Sequence, residues 1–130
     1  KQIDAALIDL VTGDDDAANC HFGQITAAIN GTIVAGRMTC LEVPAGAGTV
    51  VDVDLYSATE GTGTEGVASG VGSLTETALV TSGASWTSGR TLGMTALPAA
   101  NEYLYLAAGA AGGDSSPFTS GKFLIEFWGT

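Results

Sequence analysis

The residues best equipped for chemistry in this chain are its carboxylates. Fourteen Asp and Glu stand against four Lys and Arg in 130 residues, for a formal net charge of −10. Asp52 and Asp54 alternate with valines in "VVDVDLY". On an extended strand both side chains face one way, roughly 7 Å apart given the rise per residue. Carboxylates at such a separation can divide general-acid and general-base work. The plainer expectation is that Asp52, Asp54 and Tyr56 form the solvated outer face of an antiparallel sheet, while Val51, Val53 and Leu55 face inward. Asp14, Asp15 and Asp16 are the densest charge. A Ca²⁺ loop of EF-hand type needs alternate acidic positions, a glycine and a distant Glu; that pattern is absent, so a solvated turn or helix N-terminus is expected. "GTGTEG", Gly61 to Gly66, matches G-x-G-x-x-G. That pattern holds a pyrophosphate only where a helix opens directly after it. "VASGVGS" follows, and Glu60 and Glu65 would repel phosphates, so the stretch reads as an acidic surface loop.

Nucleophilic chemistry has less to build on. His21 is the sole histidine and directly follows Cys20. A Cys–His pair needs spatial opposition and an orienting third group, and neighbours on an extended chain point apart. The sequence contains no G-x-S-x-G and no His/Cys cluster at metal spacing. Asn30-Gly31-Thr32 is a formal glycosylation sequon, but an Asn-Gly turn accounts for those residues unmodified. Trp86, Trp128, Tyr103 and Tyr105 could form a sugar-stacking platform, although rings at strand positions more often serve a core or an interface. The expectation is a chain that is not an enzyme and holds no cofactor or metal.

The elements that must carry these residues are strands. Turn signals recur along one domain, 1–130, as in an all-β sandwich. "EYLYLAA" has large residues on both faces, the pattern of a central strand covered on each side. "KFLIEFW" alternates, with Phe123, Ile125 and Phe127 inward and Lys122 and Glu126 outward; Leu124 and Trp128 share that outer face, which is therefore expected to be part-covered. "IVAGRMTCLEV" is a longer run in which Gly36 marks a bulge. Asn30-Gly31 before it is the strongest short hairpin signal, and Pro44 with the glycines of "PAGAG" turns the chain toward 50–56. Residues 57–75 read as a long Gly/Ser-rich loop, followed by short strands at Ala78–Thr81, Ser85–Thr87 and Thr91–Leu97. The segment 1–30 is ambiguous. Ile3, Leu7, Leu10 and Val11 fit a helical stripe, yet "ALIDLV" would also make a strand.

Composition narrows the partners. Hydrophobic residues make up 45% and charged residues 14%, against about 25% charged in ordinary soluble domains. With a mean hydropathy of +0.30, such a chain is expected to bury surface against neighbours as well as inside itself. A polyanion repels nucleic acid and anionic membranes, and Lys1, Arg37, Arg90 and Lys122 cannot form a basic stripe. No apolar run approaches the roughly 18 residues of a membrane span, and no secretory leader is visible. A start at Lys1 rather than Met points to N-terminal residues removed or omitted. Cys40, in "RMTCLEV", reads as a small buried hydrophobe, with a Cys20–Cys40 disulfide as the lesser alternative.

Two stretches carry a family resemblance. "TLGMTALPAANEYLYLAAGAAGGDSSPFTSGKFLIEFWGT" resembles the C-terminal part of jelly-roll cement, or decoration, proteins of tailed-bacteriophage heads. The shared features are Pro98 with the Asn101 to Leu106 strand, a variable Gly-rich excursion, and Phe118 to Gly129. "CLEVPAGAGTVVDVDLYSA" is similar to that family's strand–turn–strand. Together they cover a little under half the chain, and residues 1–30 and the loop after Ala58 lie outside the resemblance. It implies a jelly-roll β-sandwich that binds the outer surface of an icosahedral capsid in the virion, after assembly in the bacterial host cytoplasm. The implied partners are the major capsid protein and the chain itself, as a homodimer on two-fold positions or a trimer on three-fold ones. A glycan-binding sandwich, as in a head fibre or adhesin, is the alternative. For capsid contact the expected residues are Ile3, Leu7, Ile8, Leu10 and Val11, apolar yet outside the clearest strands.

Overall fold

A computed structural model of the chain describes residues 2–4, 21–46, 52–63, 71, 74–109 and 118–130. Within them the chain runs β1 (Gln2–Asp4), β2 (Gly23–Gln24), α1 (Ala27–Asn30), β3 (Ile33–Gly46), β4 (Val53–Ala58), β5 (Glu76–Val80), β6 (Thr91–Gly93), β7 (Tyr103–Ala108) and β8 (Phe118–Gly129). The first strand pairs with the last, the second with the second last, β3 with β6 and β4 with β5, all antiparallel. This is the pairing of one long hairpin ribbon. The ribbon is rolled so that β3 also meets β8 and β4 also meets β7. Two four-stranded sheets result, in the orders β1-β8-β3-β6 and β2-β7-β4-β5.

Period-two patterning explains how the sheets stack. Met38, Cys40, Phe123 and Ile125 of one sheet share a core with Val53, Leu55, Leu104 and Leu106 of the other. The protein is therefore an all-β, sandwich-like domain with its main core between two antiparallel sheets. Each large aliphatic enclosed there contributes about 1.5–3 kcal/mol of transfer free energy. "EYLYLAA" behaves as its two-faced pattern requires: β7 lies between β2 and β4, and Leu104 to Ala107 are all buried. In β8, Phe123 and Ile125 are enclosed while Phe127 is half-buried.

Several local expectations change. Asn30-Gly31 does not make a hairpin; it closes the helical turn α1, where Asn30 Oδ1 accepts the Thr26 N–H at 2.8 Å. That local bond offers the backbone an alternative to a ladder. Gly31 sits at φ 64°, ψ −151°, a region almost reserved for glycine. Pro44 does not turn the chain away. β3 continues through it to Gly46 and stays in register with β8 by shifting between Cys40 and Glu42, Glu42 and Ala45, and Ala45 and Gly46. The other irregularity in β3 falls between Ile33 and Ala35, one residue before Gly36. Gly36 has a separate duty: a Cβ there would overlap the Met94 thioether, which packs on the core's edge. Ser85–Thr87 is not a strand, and the strand expected over Thr91–Leu97 is limited to Thr91–Gly93. At the N-terminus Gln2–Asp4 is a strand on β8. Leu7, Ile8, Leu10, Val11, Asp14 to Asp16 and Cys20 lie outside the described residues.

Gly31 gives the sharpest check of this frame. A Cβ there would also strike the Thr130 carbonyl oxygen, which accepts the Thr32 N–H at the end of the β3–β8 ladder. Gly31→Ala is expected to lower unfolding stability in urea by about 1–3 kcal/mol, the cost of a strained backbone position. A change within about 0.5 kcal/mol, the range of neutral surface substitutions, would contradict the assigned geometry.

Candidate functional site

The carboxylate pair is where sequence and structure differ most. The face of β4 that carries Asp52, Asp54 and Tyr56 does not meet solvent: Asp52 is 6% exposed and Asp54 1%. The cause is the neighbouring strand. β7 places Tyr105 and Ala107 on the same outer face, and with Tyr56, Ala58 and Val71 they form a second apolar cluster, flanked by Leu74, Ala78 and Tyr103. Segments following β4 are drawn across this face. The Tyr105 hydroxyl donates to the Glu60 carbonyl at 2.6 Å and accepts the Gly63 N–H at 3.2 Å. Glu60 accepts both the backbone N–H and the hydroxyl of Thr75 at 2.9 Å, which holds its carboxyl below the usual range. Gly61 and Gly63 lie so close to the Tyr103 and Tyr105 rings that a Cβ on either would collide with them. Half of "GTGTEG" thus serves as ring cover.

The two aspartates are tied into the backbone. Asp54 Oδ1 accepts the Ser82 N–H at 2.7 Å, and the Tyr56 hydroxyl reaches Asp54 Oδ2 at 3.4 Å. A Cβ on Gly109 would overlap the Asp52 carboxyl, and the Gly109 N–H donates to the Asp52 carbonyl at 2.8 Å. Burial raises the Asp54 pKa; the Ser82 and Tyr56 bonds oppose that, and the Asp52 charge adds to it. The Tyr56 hydroxyl is pushed far above its ordinary range by burial and by the Asp54 charge. Chemically the Asp54 carboxyl fastens the β5–β6 connection to β4, while the main chain at Asp52 holds the end of β7 and its carboxyl is buried against Gly109. Ser82 and Gly109 are the partners that sequence reasoning missed. Their only trace is their place in turn-like stretches.

The other expected residues are dispersed. Trp86 is 1% exposed; its Nε1–H donates to the Val53 carbonyl at 2.7 Å and its ring meets Phe123 edge-on at 5.2 Å. Tyr105 is buried and Tyr103 half-buried, so neither they nor Trp86 join Trp128 in a sugar-stacking platform. His21 packs on Tyr103, ring centres 4.7 Å apart. Cys40 is a free thiol in the core, its pKa raised by burial. Among the described residues no three His, Cys, Asp or Glu gather as metal ligands, and no helix is long and apolar enough to cross a membrane. Ile3 is in register with Phe123, so removing it takes away an edge strand as well as any contact.

What remains open is the outer face of the β1-β8-β3-β6 sheet. Trp128 is 45% exposed, and Val34, Leu41 and Val43 along β3 are exposed too. Arg37 pairs with Glu126, which lowers the Glu126 pKa, and its guanidinium lies 5.4 Å from the centre of the Trp128 ring. This is an aromatic–arginine strip among apolar side chains. The chain matches no known protein-family model, and comparison with curated proteins and with solved structures gives no significant match.

Two measurements check this reading. A carboxyl whose pKa is higher folded than unfolded binds its proton more tightly in the native state. Its contribution therefore favours the fold at acid pH and is lost as pH rises through the folded pKa. Unfolding stability followed from the ordinary carboxylate range toward neutrality should contain this falling component, and Asp54→Asn, which keeps an acceptor for Ser82, should remove it. An unchanged pH profile would contradict a buried, ionising Asp54. Trp86→Ala should cost about 3–5 kcal/mol in chemical denaturation, as for a large ring removed from a core; a loss under about 1 kcal/mol would contradict its enclosure.

Proposed function

We propose that this chain is a virion structural protein, a non-enzymatic jelly-roll module that binds the outer surface of an icosahedral phage head and bridges neighbouring capsomers. The observation that carries the reading is where the family resemblance falls. Its two stretches span the later part of β3 and all of β4, β6, β7 and β8. β3, β8, β4 and β7 are the inner strands of the two sheets, so the likeness lies in the elements that define the sandwich. The first-with-last pairing, rolled into sheets 1-8-3-6 and 2-7-4-5, supports the jelly-roll assignment, since eight strands in two such sheets are what that architecture contains.

Mechanistically the module works by surface. Its aspartates, Trp86 and Cys40 are committed to internal contacts, whereas Trp128, Arg37 and the exposed β3 aliphatics form a face of the kind that anchors protein interfaces. A net charge of −10 suits an outward shell surface rather than one facing packaged nucleic acid. Many modest contacts repeated over a lattice add up through multivalency. Self-association as a homodimer, or as a trimer on three-fold positions, belongs to the same proposal. The glycan-binding alternative lacks its stacking face, because Trp128 stands apart from the three other rings.

Capsid shells lacking the protein provide the test. Purified protein mixed with them should co-pellet to a saturating copy number commensurate with icosahedral symmetry, and Trp128→Ser should weaken binding by about tenfold or more, as for a central interface tryptophan. Absence of co-pelleting would overturn the capsid role. Full binding by Trp128→Ser would move the contact off this face.

A further inference from the structure

The β1-β8-β3-β6 sheet has an edge at β6, with β8 and β3 standing between it and β1. Residues 74–109, which include β6 and both of its connections, are described without a break. β6 faces β3 with Arg37 opposite Gly93, Met38 opposite Leu92 and Thr39 opposite Thr91. The Cys40 N–H donates to the Arg90 carbonyl and the Met94 N–H to the Gly36 carbonyl, both at 2.9 Å. Residues of an antiparallel strand alternate in the side toward which they bond. Arg90, Leu92 and Met94 therefore bond toward β3, and the main-chain N–H and C=O of Thr91 and Gly93 point to the open side. The Thr39 and Thr91 hydroxyls, 2.9 Å apart, fit the closer side chains of a pair that exchanges no main-chain bonds. Thr91 and Gly93 are exposed, and β3 is the only strand paired with β6 among the described residues.

This edge is short but otherwise unguarded. Open edges are commonly blunted by charges, proline or a bulge. "TLGMTAL", Thr91 to Leu97, contains no charge and no proline, and the β3–β6 register has no shift. Gly93 adds a second, independent sign. Glycine inside a strand costs stability and often marks the close approach of another backbone. Nothing in the chain itself calls for glycine here: Gly93 is not in the left-handed region, and a Cβ on it would meet nothing within 4 Å. Gly31 and Gly36, by contrast, are crowded by their own chain. The backbone that Gly93 accommodates comes from outside the domain.

We infer that β6 pairs antiparallel with β6 of a second copy, Leu92 opposite Leu92, so that Thr91 of each chain exchanges main-chain bonds with Gly93 of the other. The edge is self-complementary in the way a two-fold contact requires: its two outward-bonding residues flank a single residue, and each supplies what the other needs. Charge favours the same occupant. Two chains of net charge −10 can meet along an uncharged stretch, whereas a partner drawn by the acidic surplus meets Glu60, Glu76 and Glu102 around the other sheet. Residues directly opposite in a ladder project to the same face, so the two-fold axis stands normal to the sheet. The joined sheet runs β1-β8-β3-β6-β6-β3-β8-β1, with both Trp128–Arg37 strips on one side. A pair built in this way grips a surface at two places at once. The pairing assigns an edge to the self-association of the proposed bridging protein and rests on that role only for what the doubled face is used for.

Two arms test the pairing separately from the capsid role. In solution, light scattering should show the mass rising toward twice the 13.0 kDa of one chain as protein approaches about 1 mM, the range of a weak contact. The rise should steepen in added salt, which screens repulsion between acidic copies. Over the same series, hydrogen exchange at the Thr91 and Gly93 amides should slow by about tenfold or more. Gly93→Pro deletes an outward N–H and leaves the β3 ladder its bonds, so it should weaken association by about tenfold or more. If that variant misfolds, the exchange series on the unaltered chain decides. A mass that rises while both amides exchange unchanged places the contact elsewhere and overturns the inference. A chain that stays at 13.0 kDa overturns it too, even where the two amides slow on capsid shells, since the shell protein is then the occupant. In the second arm the paired protein is mixed with shells, and both amides should stay slow in the pelleted protein; faster exchange there overturns the inference. Pairing without pelleting removes the capsid role and leaves the edge contact standing, and pelleting without pairing does the reverse.

Discussion

Much of this fold depends on Tyr105. It sits in the middle of the β2-β7-β4-β5 sheet, flanked by Leu104 and Leu106, which commit the opposite face to the sandwich core. A ring of that size on the other face must be covered, and its hydroxyl must find partners once it is covered. Both needs are met by the chain after β4, through Glu60 and Gly63. That cover has a second effect. By closing the outer face it removes Asp52 and Asp54 from water, and what would have been a solvated stripe becomes a buried pair with Asp54 bonded to the Ser82 main chain. The electrostatics of the pair follow from a packing demand made by a different strand.

The two sheets consequently have different outward characters. One is roofed by its own chain and stabilised by a small aromatic cluster. The other presents Trp128, Arg37 and the β3 aliphatics directly. A domain with one finished face and one open face has a natural orientation toward whatever it binds. On that open face Arg37 joins Glu126 and the Trp128 ring in one contact group across β3 and β8.

Much of this was legible in the sequence where a strand's own pattern decides the outcome. "EYLYLAA" specified a strand buried on both sides, and "KFLIEFW" placed Phe123 and Ile125 inward. It was illegible wherever a distant segment decides. Alternation in "VVDVDLY" correctly separated Val53 and Leu55 from Asp52 and Asp54, but periodicity cannot say whether the second face is roofed. Asn30-Gly31 carries a hairpin signal that a local bond from Thr26 to the Asn30 side chain overrides. Pro44 looks like a stop, yet β3 absorbs it by slipping register against β8. Trp86 read as a strand residue because nothing nearby reveals that its indole reaches Val53.

The rolled-ribbon pairing also sets a timetable. β8 is the last described strand to leave the ribosome, yet both β1 and the long β3 depend on it for their ladders. β2 and β4 wait in the same way for β7. Neither sheet can close before β7 and β8 have been made, so a nascent chain holds its apolar strands open until then. Pairings so distant in sequence form slowly. For a protein rich in aliphatic strands and poor in charge, the acidic surplus then serves a purpose before folding: like charges keep unfinished copies apart while they wait for their closing strand.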